Sequence, residues 1–202
     1  MRAVFFALLV VAACGGSTTR KSLSNEWPTG EVGDYLDITD DWTRKATLRG
    51  SYQEVVELAA TFKTPEWRAA HAARDAAHRG LTGAARDQRM AQAKAEAEGP
   101  YEMELMITTW DRRENDLDRG KKATWRVNLL DANGMEIAPL EVVKDRRPAF
   151  VIRTEFPAFG DFATPYIVRF PREANILGPG AKLVRLRLSG ERGGVEVTWE
   201  AP

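Results

Sequence analysis

The chain has 202 residues, with 29 lysines and arginines against 29 aspartates and glutamates and a single cysteine, Cys14. That length suits one sizeable domain or two small ones. The balanced charge argues against the broad basic surface that nucleic-acid partners require, and one cysteine excludes an intramolecular disulfide.

The first residues carry one positive charge, Arg2, followed by an uncharged run from Ala3 to Ala13. This is the charged region and apolar region of an export signal. The run is shorter than the roughly 20 apolar residues a membrane-crossing helix needs. Residues 1–13 are therefore read as a removable signal peptide.

Val11-Ala12-Ala13-Cys14 resembles the bacterial lipobox, with Val at a position where Leu is commonest. The resemblance implies transfer of a diacylglyceryl group to the Cys14 sulfur, cleavage before Cys14, and acylation of the new amine. It implies a membrane anchor and processing, not a fold. Ordinary signal cleavage, leaving a free thiol, is the alternative reading of the same small residues. A lone cysteine at the end of an apolar region is better explained by lipidation, because a free terminal thiol would be reactive in an oxidising compartment. Gly15 stands where lipoproteins retained at the inner membrane usually carry Asp. The resemblance therefore implies an outer-membrane location, with the domain in the periplasm or at the cell surface.

Residues 14–33 are the lipidated cysteine and a small, polar stretch expected to form a flexible tether. Residues 34–100 are expected to hold a strand segment and a helical hairpin. Ala46–Tyr52 and Val55–Phe62 both have strand character, with a bend at Gly50-Ser51, although the second stretch could equally begin a helix. Thr64-Pro65-Glu66 supplies an N-cap oxygen, a proline for the first helical position and an early acid. One helix is predicted from there to Gly80, and a second from Thr82 to Glu98, stopped by Gly99-Pro100. Twelve of the residues 64–98 are alanine, and Trp67, Leu81 and Met90 are the only large apolar ones. A hairpin packed on a sheet is favoured over a docking arm, since packing is the usual source of helix stability.

From Tyr101 the period changes to two, as in Tyr101-Glu102-Met103-Glu104-Leu105, Val184–Leu188 and Val195–Trp199. Further strands are predicted over 122–130, 135–143, 149–156 and 164–170. Asp131–Gly134 and Gly190–Gly194 supply tight turns. The expected fold is α+β: mainly an antiparallel β-sandwich of immunoglobulin-like architecture over residues 101–202, with the N-terminal strand region and the Ala-rich hairpin before it.

Three groups are candidate sites. His71 and His78 lie seven residues apart on a helix, about 10.5 Å, too far to share a metal ion directly. Asp116, Asp118 and Gly120 match a fragment of a calcium loop, but the terminal glutamate of the full loop is missing and arginines interleave. Phe156, Phe159 and Phe162 form a dense aromatic stretch, which either fills the core or offers a ligand-binding loop. Trp27 and Trp42 are weaker candidates of that kind. No serine elbow, phosphate loop or zinc motif is present, so no catalytic residue, metal ligand or cofactor is assigned. The functional expectation is a membrane-anchored, non-enzymatic interaction or scaffold module with an envelope protein as partner. A glycan- or small-molecule-binding lipoprotein is the alternative, and a carboxylate-dependent hydrolase is a further one. An exposed alanine-rich helical face would favour the first, an aromatic pocket the second, and two facing buried acids the third.

Overall fold

The computed structural model describes residues 20–50, 53–131 and 133–202. The signal segment and Cys14 lie outside the described residues.

The described chain begins against the domain. Lys21 N–H donates to Glu200 O (3.3 Å), Gly178 N–H donates to Leu23 O (2.8 Å), and Leu23 is buried. The tether expected over 14–33 is thus held to the domain from Lys21 onward. A short helix follows, α1 (Tyr35–Asp41), capped by the Asp34 carboxylate, which accepts from the Leu36 and Asp37 N–H groups. It was not predicted, being only two turns long.

Strands β1 (Thr43–Arg49) and β2 (Glu54–Phe62) pair antiparallel. The second stretch is therefore a strand, not a helix. Gly50 N–H donates to Gln53 O (2.8 Å), while Ser51 and Tyr52, part of the expected bend and strand, lie outside the described residues. The hairpin forms as expected, with α2 (Pro65–His78) and α3 (Gly83–Glu98). The Thr64 hydroxyl accepts from Trp67 N–H, satisfying one of the helix's orphan donors.

Strand β3 (Tyr101–Thr109) pairs with β2 over seven residues, from Val56↔Thr109 to Phe62↔Met103. The division expected at residue 100 therefore falls inside one sheet. A 3-10 turn at Leu117–Lys122 precedes β4 (Trp125–Leu130), so this strand starts later than predicted. The strand expected over 135–143 divides into β5 (Glu136–Ile137) and β6 (Glu141–Lys144), which belong to different sheets.

The strand expected over 149–156 is a helix, α4 (Ala149–Glu155). Pro148 stands at its N-cap, and the Pro148 carbonyl accepts from Val151 and Ile152. Its buried residue, Ile152, and the buried Phe156 at its C-cap are spaced by four, which is the helical period. The β-branched run Val151-Ile152 favoured a strand locally, and packing overrode that preference.

Strands β7 (Thr164–Phe170), β8 (Leu183–Gly190) and β9 (Gly193–Glu200) complete the fold. One sheet has the order β1-β2-β3-β7-β6 and the other β5-β4-β8-β9, all pairs antiparallel. The class is α+β. One continuous core takes in residues of both sheets, from Phe62, Met103 and Val168 in the first to Leu129, Leu186 and Val197 in the second. Strands β1 and β9 meet where Arg44 Nε donates to Thr198 O (3.0 Å), and beside them Trp199 Nε1 donates to the carbonyl of Trp42, the residue before β1 (2.9 Å). Among the described residues no helix is long and apolar enough to cross a membrane.

Candidate functional site

The most accessible apolar side chains near the helices are Phe150, 73% exposed on α4, and Leu36, 47% exposed on α1. Helix α2 has a groove on each side. One, of about 220 Å³, lies between α2 and α4 and is lined by His71, Asp75, Phe150 and Val151 among others. The other, of about 410 Å³, lies between α1 and α2, with Leu36, Ala70, Ala73 and Ala77 in its lining. The alanines explain the second groove, because a larger side chain at these positions would fill it.

Arg74 borders both grooves. Its guanidinium lies 4.5 Å from the Tyr35 ring centre, and Nη2 donates to Thr154 O (3.2 Å). It thereby ties α1 to α4 across α2. Tyr35 adds a second tie, its hydroxyl donating to Glu155 O (2.8 Å). The exposed apolar groups thus stand on helices that are fixed to one another.

Beneath this face runs a chain of charges. The His71 ring stacks on Trp67 (5.0 Å between centres), and Nε2 lies 3.6 Å from a Glu155 oxygen. Glu155 pairs with Arg147, which also binds Asp145 through Nε and Nη2 (2.8 and 2.6 Å). Lys63 follows, its Nζ 2.8 Å from both Glu104 and Glu102, beside the Trp67 and Phe156 rings. Glu102 accepts in turn from Arg169 Nε (2.8 Å).

The ionisation of these groups follows from their neighbours. Burial raises the Glu104 carboxyl to about 7, Asp145 adds to the rise, and Lys63 opposes it. Burial would also raise Glu102, but Lys63, Arg68 and Arg169 outweigh it and hold that carboxyl at about 2. Burial pushes Asp145 up as well, and Arg147 more than compensates, so Asp145 stays below its usual value. Two acids meet in an otherwise alternating chain, and protonating Glu104 relieves the repulsion.

Glu104 and Asp145 are the pair of buried acids that a hydrolase would require. Glu104, however, has no accessible surface, the Asp145 side chain is 2% exposed, and neither lines the grooves beside α2. Their geometry serves the interior, where it joins the two strands β2 and β3 to the α4 region.

The predicted aromatic site is not assembled. Phe156 is buried and stacks on Trp67 (5.6 Å), and Phe159 is buried at 9% exposure with Arg153 over its ring. Phe162 alone is open, 69% exposed, with Arg112 over its ring. It borders a groove of about 370 Å³ together with Trp110, 66% exposed. Trp42 is a core residue, fully buried, and Trp27 is half-buried. The acids of the suggested calcium loop are engaged within the protein: Asp116 accepts from Thr124 N–H (2.8 Å), and Asp118 pairs with Lys144 (3.3 Å). Among the described residues, no group of three or more His, Cys, Asp or Glu side chains could hold a metal ion.

Sequence reasoning found α2 but missed its two flanking partners, Leu36 and Phe150. The signal for Phe150 was present in Pro148-Ala149, a helix start, but the β-branched residues after it spoke for a strand. Comparison of the chain with protein families, with curated proteins and with solved structures finds no match.

Proposed function

We propose that this chain is a bacterial lipoprotein, anchored through lipid on Cys14 at the outer membrane. Its folded domain acts without catalysis as a docking module for another envelope protein. The observation that carries the docking reading is the pairing of exposed Phe150 and Leu36 across the two grooves beside α2. Large apolar groups held on fixed helices, with charged groups around them, have the make-up of a protein interface centre. Ala84, Ala91 and Ala95 on α3 are exposed as well. The same proposal takes the two sheets as a sandwich of immunoglobulin-like architecture, which their shared core supports.

The test uses the full chain in its native membrane, with a photo-crosslinking residue at position 150 and, as control, at exposed Gln88. One discrete protein adduct from position 150, absent from position 88 and lost with Leu36→Asp, is expected. Equal labelling from both positions, or an adduct indifferent to Leu36→Asp, would refute the docking face.

A ligand-binding lipoprotein is a second reading, favoured by Trp110 and Phe162 together at one groove that also offers Glu54, Glu57 and Arg112. Two exposed aromatic faces beside polar groups suit a sugar ring. A glycan array should then give a hit that Trp110→Ala abolishes, and an array without hits would dispose of this reading.

A further inference from the structure

Strand β4 is fully paired with β8, from Trp125↔Gly190 to Leu130↔Arg185. On its other side it has, among the described residues, a strand partner only at Leu129 and Leu130. Continuing that register would put Val127 opposite Pro139, which has no N–H to give. The chain leaves there for the other sheet, and Leu140 N–H already donates to Arg169 O (2.8 Å).

The opening left at this seam is a groove of about 550 Å³. Its walls are apolar, including Leu117, Trp125, Val127 and Val142, and no carboxylate lines it. Its volume lies in the range of small-ligand pockets, about 300–1,000 Å³. Two further observations concern polarity. Lys121 and Arg126 border the groove, both exposed, and neither has an anionic partner among the described residues. The indole Nε1–H of Trp125 is buried without an acceptor. A Cβ at Gly190 would stand 3.1 Å from Trp125 Cε3, so that edge of the ring faces β8 and Nε1 lies on the opposite edge.

Two unpaired cations beside apolar walls define a ligand with an anionic oxygen head and a hydrocarbon body. We propose that this groove binds a single-chain fatty acid. The alkyl chain lies along Leu117, Val127 and Val142, and the carboxylate is held by Lys121 and Arg126. The groove shares no residue with the α1–α2–α4 face, so this inference goes beyond the docking reading and stands or falls apart from it.

The experiment labels the full chain in isolated membranes with a photoreactive palmitate, then maps the labelled peptides. Label in the peptides covering 117–128 and 138–142 is expected. Excess laurate should compete it away, while dodecanol, which has the same chain and no charge, should not. The surface double variant Lys121→Glu/Arg126→Glu should lose labelling about tenfold or more, as two charge-assisted contacts become repulsive. Labelling elsewhere, labelling that laurate leaves unchanged, or equal competition by dodecanol would overturn the proposal. A variant that keeps full labelling would do the same. Crosslinking from position 150 is read in the same membranes and reports the docking face independently.

Discussion

Glu104→Gln should make this protein more stable at pH 8 and change it little at pH 4.5. In the folded chain the Glu104 carboxyl sits at about 7, raised from 4.5. A carboxyl raised on folding binds its proton more tightly in the native state. Its contribution is full below pH 4.5 and is lost as pH rises through 7. At about 1.4 kcal/mol per unit, this loss is roughly 3 kcal/mol. Glutamine is neutral at every pH and, like the protonated acid, offers a donor toward Asp145. Lys63 keeps Glu102 as a partner at 2.8 Å in the variant. Urea unfolding of both proteins at several pH values between 4.5 and 8 is the assay. The wild-type midpoint should fall faster with pH than the variant's, by the equivalent of roughly 3 kcal/mol at the alkaline end. For a domain of this size each kcal/mol is worth about 2–4 °C in Tm. Parallel curves for the two proteins would show that Glu104 does not titrate in this range, and the account of the buried acids would fail.

Three further outcomes are expected. Thr64→Ala removes the hydroxyl that accepts from Trp67 N–H and should cost about 1 kcal/mol in chemical unfolding. Gly190→Ala would bring a Cβ to 2.8 Å from Thr124 O and 3.1 Å from the Trp125 ring, so a loss of about 1–3 kcal/mol should appear as a lower urea midpoint with unchanged slope. Cys14→Ser should release the protein from membranes without altering its thermal unfolding; retention after signal removal, tested by fractionation, would contradict the anchor.

The hairpin was legible because its signals are local. Thr64, Pro65 and Gly80 act on neighbouring backbone groups. The strands from β3 onward were legible where one face is wet, as in β8 and β9, whose burial alternates along most of their length. Strand β3 shows where this reasoning ends. Alternation placed Glu102 and Glu104 on a solvated face, yet β3 is interior to its sheet and Glu104 is fully buried. Leu105-Met106-Ile107, three apolar residues in succession, was the sign that both faces are covered. The groups that face Glu104, Lys63 on one side and the Asp145–Arg147 pair on the other, are about 40 residues away in sequence. No local pattern could announce them. The same holds for the groove at β4, which exists because Pro139 ends a ladder belonging to another strand.

The docking of residues 21–23 on the domain has a geometric consequence. With Cys14 lipidated as proposed, seven residues of chain separate the anchor from Lys21, a contour of at most roughly 25 Å. Lys21 is itself pinned, its ammonium 2.8 Å from Asp41 and 3.3 Å from Glu66. Lys21 therefore marks one pole of the domain, where the end of α1, the start of α2 and the last residues of β9 come together. On the proposed anchor, that pole would be held toward the lipid headgroups and the remaining surfaces within a shallow layer above the membrane. A partner embedded in the same membrane would meet those surfaces from the side, at nearly constant height.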